Sequence, residues 1–220
     1  MPSIKNSKPH SQPVYAPREE RLNIISHALG TALALLGAFI LIWKAAVPPD
    51  GFKMTSAVVY SAGMILLFGM STAYHSIRAG KVRRVFRVFD HSSIFLLILG
   101  TYAPICLVTL RGPWGYSIFT VVAAASVVGI VLNGVSVERF KRVSMACYIA
   151  AGWCVVVAFV PLLQRMKPGG IGLLLAGGVA YTAGIPFYKK KSVQYFHAVW
   201  HVFVLAGAIL HYLCVLWYIF

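Results

Sequence analysis

His197 and His201 stand four residues apart in the stretch Phe196-His197-Ala198-Val199-Trp200-His201, and Ser71 and His75 repeat that spacing earlier in the chain. Four residues is one helical turn, so each pair shares a face. Both stretches are otherwise strongly apolar, and polar groups inside membrane helices are costly enough to point to function. Three neutral imidazoles with one open position form a catalytic zinc site, in which coordinated water is acidified to a pKa of about 7. The expected ligands are His75, His197 and His201. Asp90 is the expected acid, placed to orient that water or shuttle its proton. Taken singly, the histidine pair also fits an interhelical hydrogen-bonding role, and a lone serine such as Ser71 also fits packing or bonding to backbone. It is the set, met at one depth of a bilayer, that points to a metal.

That depth follows from the elements that carry the residues. Of the 220 residues, 59% are hydrophobic and 11% charged, with a mean hydropathy of +0.77. An average soluble domain is about one-quarter charged, so the composition points to a single membrane bundle. The net charge of +15 does not imply nucleic acid, because the basic residues fall between apolar runs and no aromatic-interleaved basic platform is present. A hydrocarbon core about 30 Å thick takes about 20 apolar residues of helix. Seven spans are expected, near Asn23–Trp43, Thr55–Ser76, Phe89–Leu110, Trp114–Asn133, Val143–Leu163, Gly170–Phe187 and Phe196–Trp217. Pro48-Pro49-Asp50-Gly51, Arg111-Gly112-Pro113 and Lys167-Pro168-Gly169 supply turn chemistry between them. Pro104 and Pro161 are expected to kink their helices. The fold class is therefore an all-α membrane protein, a seven-transmembrane-helix bundle over residues 21–220, preceded by a disordered cytoplasmic tail over 1–20. No cleaved signal peptide is expected.

Fifteen basic residues fall on one side: Lys5, Lys8, Arg18 and Arg21, then Arg78 to Arg87, Arg139 to Arg142, and Lys189 to Lys191. Five (Lys44, Lys53, Arg111, Arg165 and Lys167) fall on the other. The bias places the N-terminus in the cytoplasm and the C-terminus outside, in the plasma membrane. His27, Ser71, His75, Asp90, His197 and His201 then share the cytoplasmic end of the bundle. Glu19 and Glu20 are assigned to the tail, which leaves Asp90 as the acid at an inner span edge. His91 is expected to face the loop. His211, about 15 Å beyond His201 along its helix, is expected to be structural. Cys106, Cys147, Cys154 and Cys214 form no CxxC pair and receive neither a disulfide nor a metal role. Trp114, Tyr116, Trp217 and Tyr218 read as an outer aromatic belt.

Glu20, Asn23 and His27 (ExxNxxxH), Ser71 and His75 (SxxxH), Asp90, and His197 and His201 (HxxxH) together resemble the hemolysin III family. This is the bacterial branch of the progestin and adipoQ receptors, related to alkaline ceramidases. The resemblance covers about residues 18–215. It implies zinc near the cytoplasmic face on His75, His197 and His201, with Asp90 and Ser71 flanking the metal. It also implies a membrane-lipid substrate or ligand carrying an amide or ester bond. One departure is Pro186, which has ten residues between it and His197, where receptor relatives carry a proline seven or eight residues before the pair. Beside a zinc-dependent hydrolase, a membrane sensor or receptor with structural zinc and a cytolytic pore stay open. The pore is less favoured because a conducting path needs polar residues at several depths. Imidazole alone discriminates weakly among zinc, copper and nickel.

Overall fold

The computed structural model describes residues 15–190 and 192–220. Most of the expected tail, with Lys5, Lys8 and His10, and also Lys191, lies outside the described residues. The rest is helical: α1 (Pro17–Ala46), α2 (Gly51–Ser76), α3 (Lys81–Pro104), α4 (Pro113–Trp153), α5 (Phe159–Arg165), α6 (Pro168–Lys189) and α7 (Phe196–Tyr218). Proline opens α1, α4 and α6, where its missing N–H leaves no intrahelical bond unmade. Asp50 caps α2 by accepting from the backbone N–H of Phe52 at 2.8 Å and Lys53 at 3.0 Å. Gly80 and Gly112, with φ of +97° and +125°, turn the chain into α3 and α4. The irregularity expected at Pro104 appears as a π-helical turn over Ile105–Thr109. At Pro161 the helix α5 runs on regularly, and the irregular stretch is a 3-10 segment before it, over Cys154–Ala158.

Six helical stretches are long and apolar enough to cross a membrane, one of them the 53-residue run Pro113–Arg165. That run holds the fourth and fifth expected spans. Ser136, at φ −170° and ψ 109°, is extended and interrupts α4. Ser144 Oγ donates to Asn133 Oδ1 at 2.9 Å, and Asn133 Nδ2 donates to Tyr148 OH at 3.2 Å. Residues eleven apart in a straight helix would be about 16 Å apart, so the two halves of α4 fold back on each other at the break.

Small residues set how closely the helices pack. A Cβ at Gly63 would lie 2.6 Å from the backbone oxygen of Leu96, and one at Gly100 would lie 3.1 Å from Tyr60 Cα, so α2 and α3 touch backbone to backbone. On the other side of α1, Lys44 donates to Leu216 O at 2.8 Å and Tyr212 to Gly37 O at 3.1 Å, which ties α1 to α7. Tyr60, Phe68, Phe95 and Leu41 fill the interior, while Ile25, Phe39 and Trp43 stand outward on α1. An outward apolar face of that kind suits lipid. The beginnings of α1 and α7 and the end of α2 therefore meet at one end of the bundle, together with the start of α3.

Candidate metal centre

Three imidazole nitrogens meet at that end. His197 Nε2 lies 3.3 Å from His75 Nε2 and 3.2 Å from His201 Nε2. Ligand atoms of His75, His197 and His201 all fall within 4.8 Å of one another, and all three residues are buried. The helix spacing brings His197 and His201 onto one face of α7, and His75 arrives from the last turn of α2. Ligands at 2.0–2.1 Å around a tetrahedral ion stand about 3.3 Å apart, so separations of 3.2 and 3.3 Å are compatible with a metal site.

The other ring nitrogens are held. His75 Nδ1 donates to Glu20 Oε2 at 2.7 Å, and Asn23 Nδ2 donates to the same oxygen at 3.2 Å. His201 Nδ1 donates to the Asn23 carbonyl at 3.2 Å, with Ser26 Oγ also at 3.2 Å. These bonds select the Nδ1–H tautomer and turn the Nε2 lone pairs of both rings inward, the arrangement that orients metal-ligating histidine. Glu20 is held in turn by Arg83 Nη2 at 2.6 Å. Arg83 is itself buried, donates to the carbonyls of Tyr74 and Ile77, and lies over the Tyr74 ring. His27 stacks on His201 with centroids 3.6 Å apart and planes 10° apart, and its two nitrogens find no hydrogen-bond partner among the described residues.

Asp90 and Ser71 line the same cavity as His197 and His201. The Asp90 carboxylate turns to His91 Nδ1 at 3.3 Å, with Ser71 lining the cavity beside it. Among the described residues neither joins the group of ligand atoms, which is histidine only. His91 does not face a loop as expected. Its Nδ1 contacts the Arg87 carbonyl at 3.0 Å, its Nε2 stands 3.4 Å from Tyr188 OH, and it lines the cavity. It turns inward because α3 begins at Lys81, well ahead of the apolar run, which puts residue 91 in the helix body. His211 is buried, with Nε2 on the Leu174 carbonyl at 3.0 Å.

Glu20 corrects the sequence reading most directly. It was expected in the tail, but α1 begins at Pro17, so Glu20 sits in the first helical turn and reaches His75. The available signal was the spacing of Glu20, Asn23 and His27 along one face, with a proline and two acids at a helix start. Tyr15, just outside α1, stacks its ring on His197, a contact no spacing in the sequence marks. Burial pushes its phenol well above the ordinary tyrosine range.

From the histidines the cavity runs along α7, with Trp200, Val204 and His211 on its wall and Trp153 and Tyr181 opposite. His197 and His211 are fourteen residues apart, which is about 21 Å of helix. The site thus joins a polar, metal-competent end to a long apolar chamber.

A protein-family profile described as haemolysin-III related matches residues 15–212. The chain is 39% identical over 202 residues to Hemolysin-3 of Bacillus cereus, covering 92% of each chain. It is 35% identical over 201 residues to the Hemolysin-3 homolog of Bacillus subtilis (strain 168), covering 91% of this chain and 94% of that one. Monocyte to macrophage differentiation factor of Homo sapiens is a more distant relative, 25% identical over 208 residues, with 92% of this chain and 85% of that one covered. With the match running from the start of α1 almost to the end of α7 and taking in all three histidines, the chain is a multi-pass membrane protein of the haemolysin-III-related family.

Proposed function

We propose that the protein is a zinc-dependent membrane hydrolase acting on the amide or ester bond of a lipid, with His75, His197 and His201 as the metal ligands. The observation that carries this reading is the convergence of three Nε2 atoms at 3.2 and 3.3 Å while the Nδ1 atoms of His75 and His201 are tied to Glu20 and Asn23. Zinc in such a site supplies Lewis acidity and an acidified water. Three protein ligands with Asp90 turned to His91 leave a fourth position for solvent or substrate, which favours a catalytic over a closed structural site.

The lipid's chain occupies the apolar chamber, with its carbonyl at the histidine end. Asp90 takes the proton from the attacking water and returns it to the departing nitrogen or oxygen, so the C–N or C–O bond breaks to give a carboxylic acid and an amine or alcohol. Ser71 keeps the Asp90 carboxylate in place. The relationship to alkaline ceramidases belongs to this reading, as does the lipid class.

The fold-back of α4 at Ser136 supports seven crossings rather than six, since one straight helix of 53 residues would be about 80 Å long against a core of about 30 Å. The loop charges support a cytoplasmic N-terminus in the plasma membrane, which puts the histidines at the cytoplasmic face. Metal analysis of purified chain, wild type against His197→Ala, tests the centre. Incubation with long-chain N-acyl and ester lipids tests the reaction. Stoichiometric zinc that is lost in the variant, together with fatty-acid release, is expected. Wild-type protein without zinc rejects the centre, and zinc-loaded protein without turnover of either lipid class rejects the hydrolase.

A further inference from the structure

We propose that Tyr15 is the cover of the three-histidine centre: its ring clamps the His197 imidazole and closes the end of the bundle against water, and so sets how fast the metal exchanges. The inference rests on the metal reading above and concerns a residue outside the ligand set and outside the ExxNxxxH, SxxxH and HxxxH spacings.

The geometry comes from the way α1 starts. Ala16, the residue before the first helical turn, has φ −57° and ψ 149°. Those angles are extended, so the chain leaves the helix axis there and Tyr15 is carried across the bundle end instead of upward in line with α1. Its ring lies parallel to His197, with centroids 4.6 Å apart and planes 15° apart, and meets His75 at 5.8 Å with planes 46° apart. Tyr15 thus touches two of the three ligands from one side. It also lines the same cavity as Ser71 and Asp90.

The three rings have different neighbours. His75 is fixed through Glu20 and His201 through Asn23 and the stacked His27. The His197 ring stacks on Tyr15 at 4.6 Å between centroids, with His201 at 4.7 Å and Tyr188 at 6.3 Å. His197 is also the middle ligand, with its Nε2 next to both of the others. A ligand that swings away opens the shell, and the stacked ring opposes that swing. Because the contact is made by the aromatic face, phenylalanine should replace tyrosine and alanine should not.

The test uses the full chain in lipid nanodiscs. Zinc-loaded wild type, Tyr15→Ala and Tyr15→Phe are mixed with excess chromogenic chelator, and zinc release is followed in time. Release from Tyr15→Ala is expected to be about two- to tenfold faster than from wild type, the rate equivalent of one lost ring stack, with Tyr15→Phe close to wild type. Equal rates for Tyr15→Ala and wild type overturn the proposal. So does fast release from Tyr15→Phe, which would assign the effect to the hydroxyl.

A second measurement does not need the metal. Metal-free protein is treated with diethylpyrocarbonate, and carbethoxylation of each histidine is followed by mass spectrometry. In Tyr15→Ala, His197 and His75 are expected to react faster while His211 keeps its wild-type rate. Unchanged rates at His197 overturn the cover, and acceleration at His211 as well shows a loosened bundle and overturns the local role. Wild-type protein that takes up no zinc removes the metal reading, and the carbethoxylation rates then decide whether Tyr15 covers the histidines.

Discussion

Glu20 Oε2 accepts a hydrogen bond from His75 Nδ1 at 2.7 Å, and the other oxygen of the same carboxylate holds Arg83 at 2.6 Å. A residue from the first turn of α1 therefore aims the His75 imidazole on α2, and a buried cation at the start of α3 aims that residue. The carboxylate–histidine contact fixes the tautomer and raises the basicity of Nε2. Glu20→Ala should weaken zinc binding by about 10- to 100-fold, the usual effect of losing such a partner. Glu20→Gln keeps an acceptor oxygen without the charge and should fall between Ala and wild type. Chelator competition at fixed pH measures both, and wild-type affinity in Glu20→Ala would remove the orienting role.

The close approach of α2 and α3 makes opposite predictions for two glycines. A Cβ at Gly63 would meet the Leu96 backbone oxygen at 2.6 Å, and backbone cannot move aside as a flexible side chain can. Gly63→Ala should cost about 1–3 kcal/mol and lower the apparent Tm in detergent. At Gly172, on α6, a Cβ would meet nothing within 4 Å. Gly172→Ala should leave the apparent Tm unchanged or raise it, since alanine restricts the unfolded chain by about 0.4–1 kcal/mol. Thermal unfolding followed by tryptophan fluorescence separates the two.

The contrast between what was legible in the sequence and what was not has physical reasons. His197 and His201 stood out because two polar residues one turn apart break an apolar helix, and the basic loops put them level with His75. Glu20 was hidden because the apolar periodicity that marks a membrane span starts only at Leu22, whereas the backbone helix starts five residues earlier at Pro17. Arg83 looked like one of several loop cations. Only the packing shows that it is buried under Tyr74 while its neighbours Lys81 and Arg84 are exposed. The break at Ser136 falls in the interval left between the fourth and fifth expected spans, where Arg139, Lys141 and Arg142 cluster. What the sequence does not encode is how the two halves meet, through contacts between residues eleven and fifteen apart.

The cap of α2 predicts a pH dependence. The backbone N–H groups of Lys53 and Phe52 hold the Asp50 carboxylate below its ordinary range. A carboxylate lowered by folding contributes its stability above the unfolded value, about 3.9 for aspartate, and loses it as pH falls through the lowered folded value. Asp50→Ala should therefore have a lower apparent Tm than wild type at pH 7, with the gap closing below about pH 4. Asp50→Asn retains a capping oxygen that does not titrate, so its apparent Tm advantage over Asp50→Ala should persist into acid. A gap between wild type and Asp50→Ala that stays constant into acid would assign the loss to something other than the ionised cap.

The fold-back of α4 predicts which loops meet which solvent. If Pro113–Arg165 crosses twice, its middle lies with the α2–α3 loop on the cytoplasmic side, and the α5–α6 turn lies outside. Single cysteines at Arg78, Val135 and Lys167, each exposed, report on this in a chain whose four native cysteines are replaced by alanine. In intact cells a membrane-impermeant maleimide should label Lys167→Cys and spare Arg78→Cys and Val135→Cys until the membrane is opened. A single crossing would put Lys167 on the cytoplasmic side instead. Protection of Lys167→Cys would then reverse the side of everything after α4 relative to everything before it. His197 and His201 at the start of α7 could not then stand level with His75 at the end of α2, which the 3.3 Å between His197 and His75 requires.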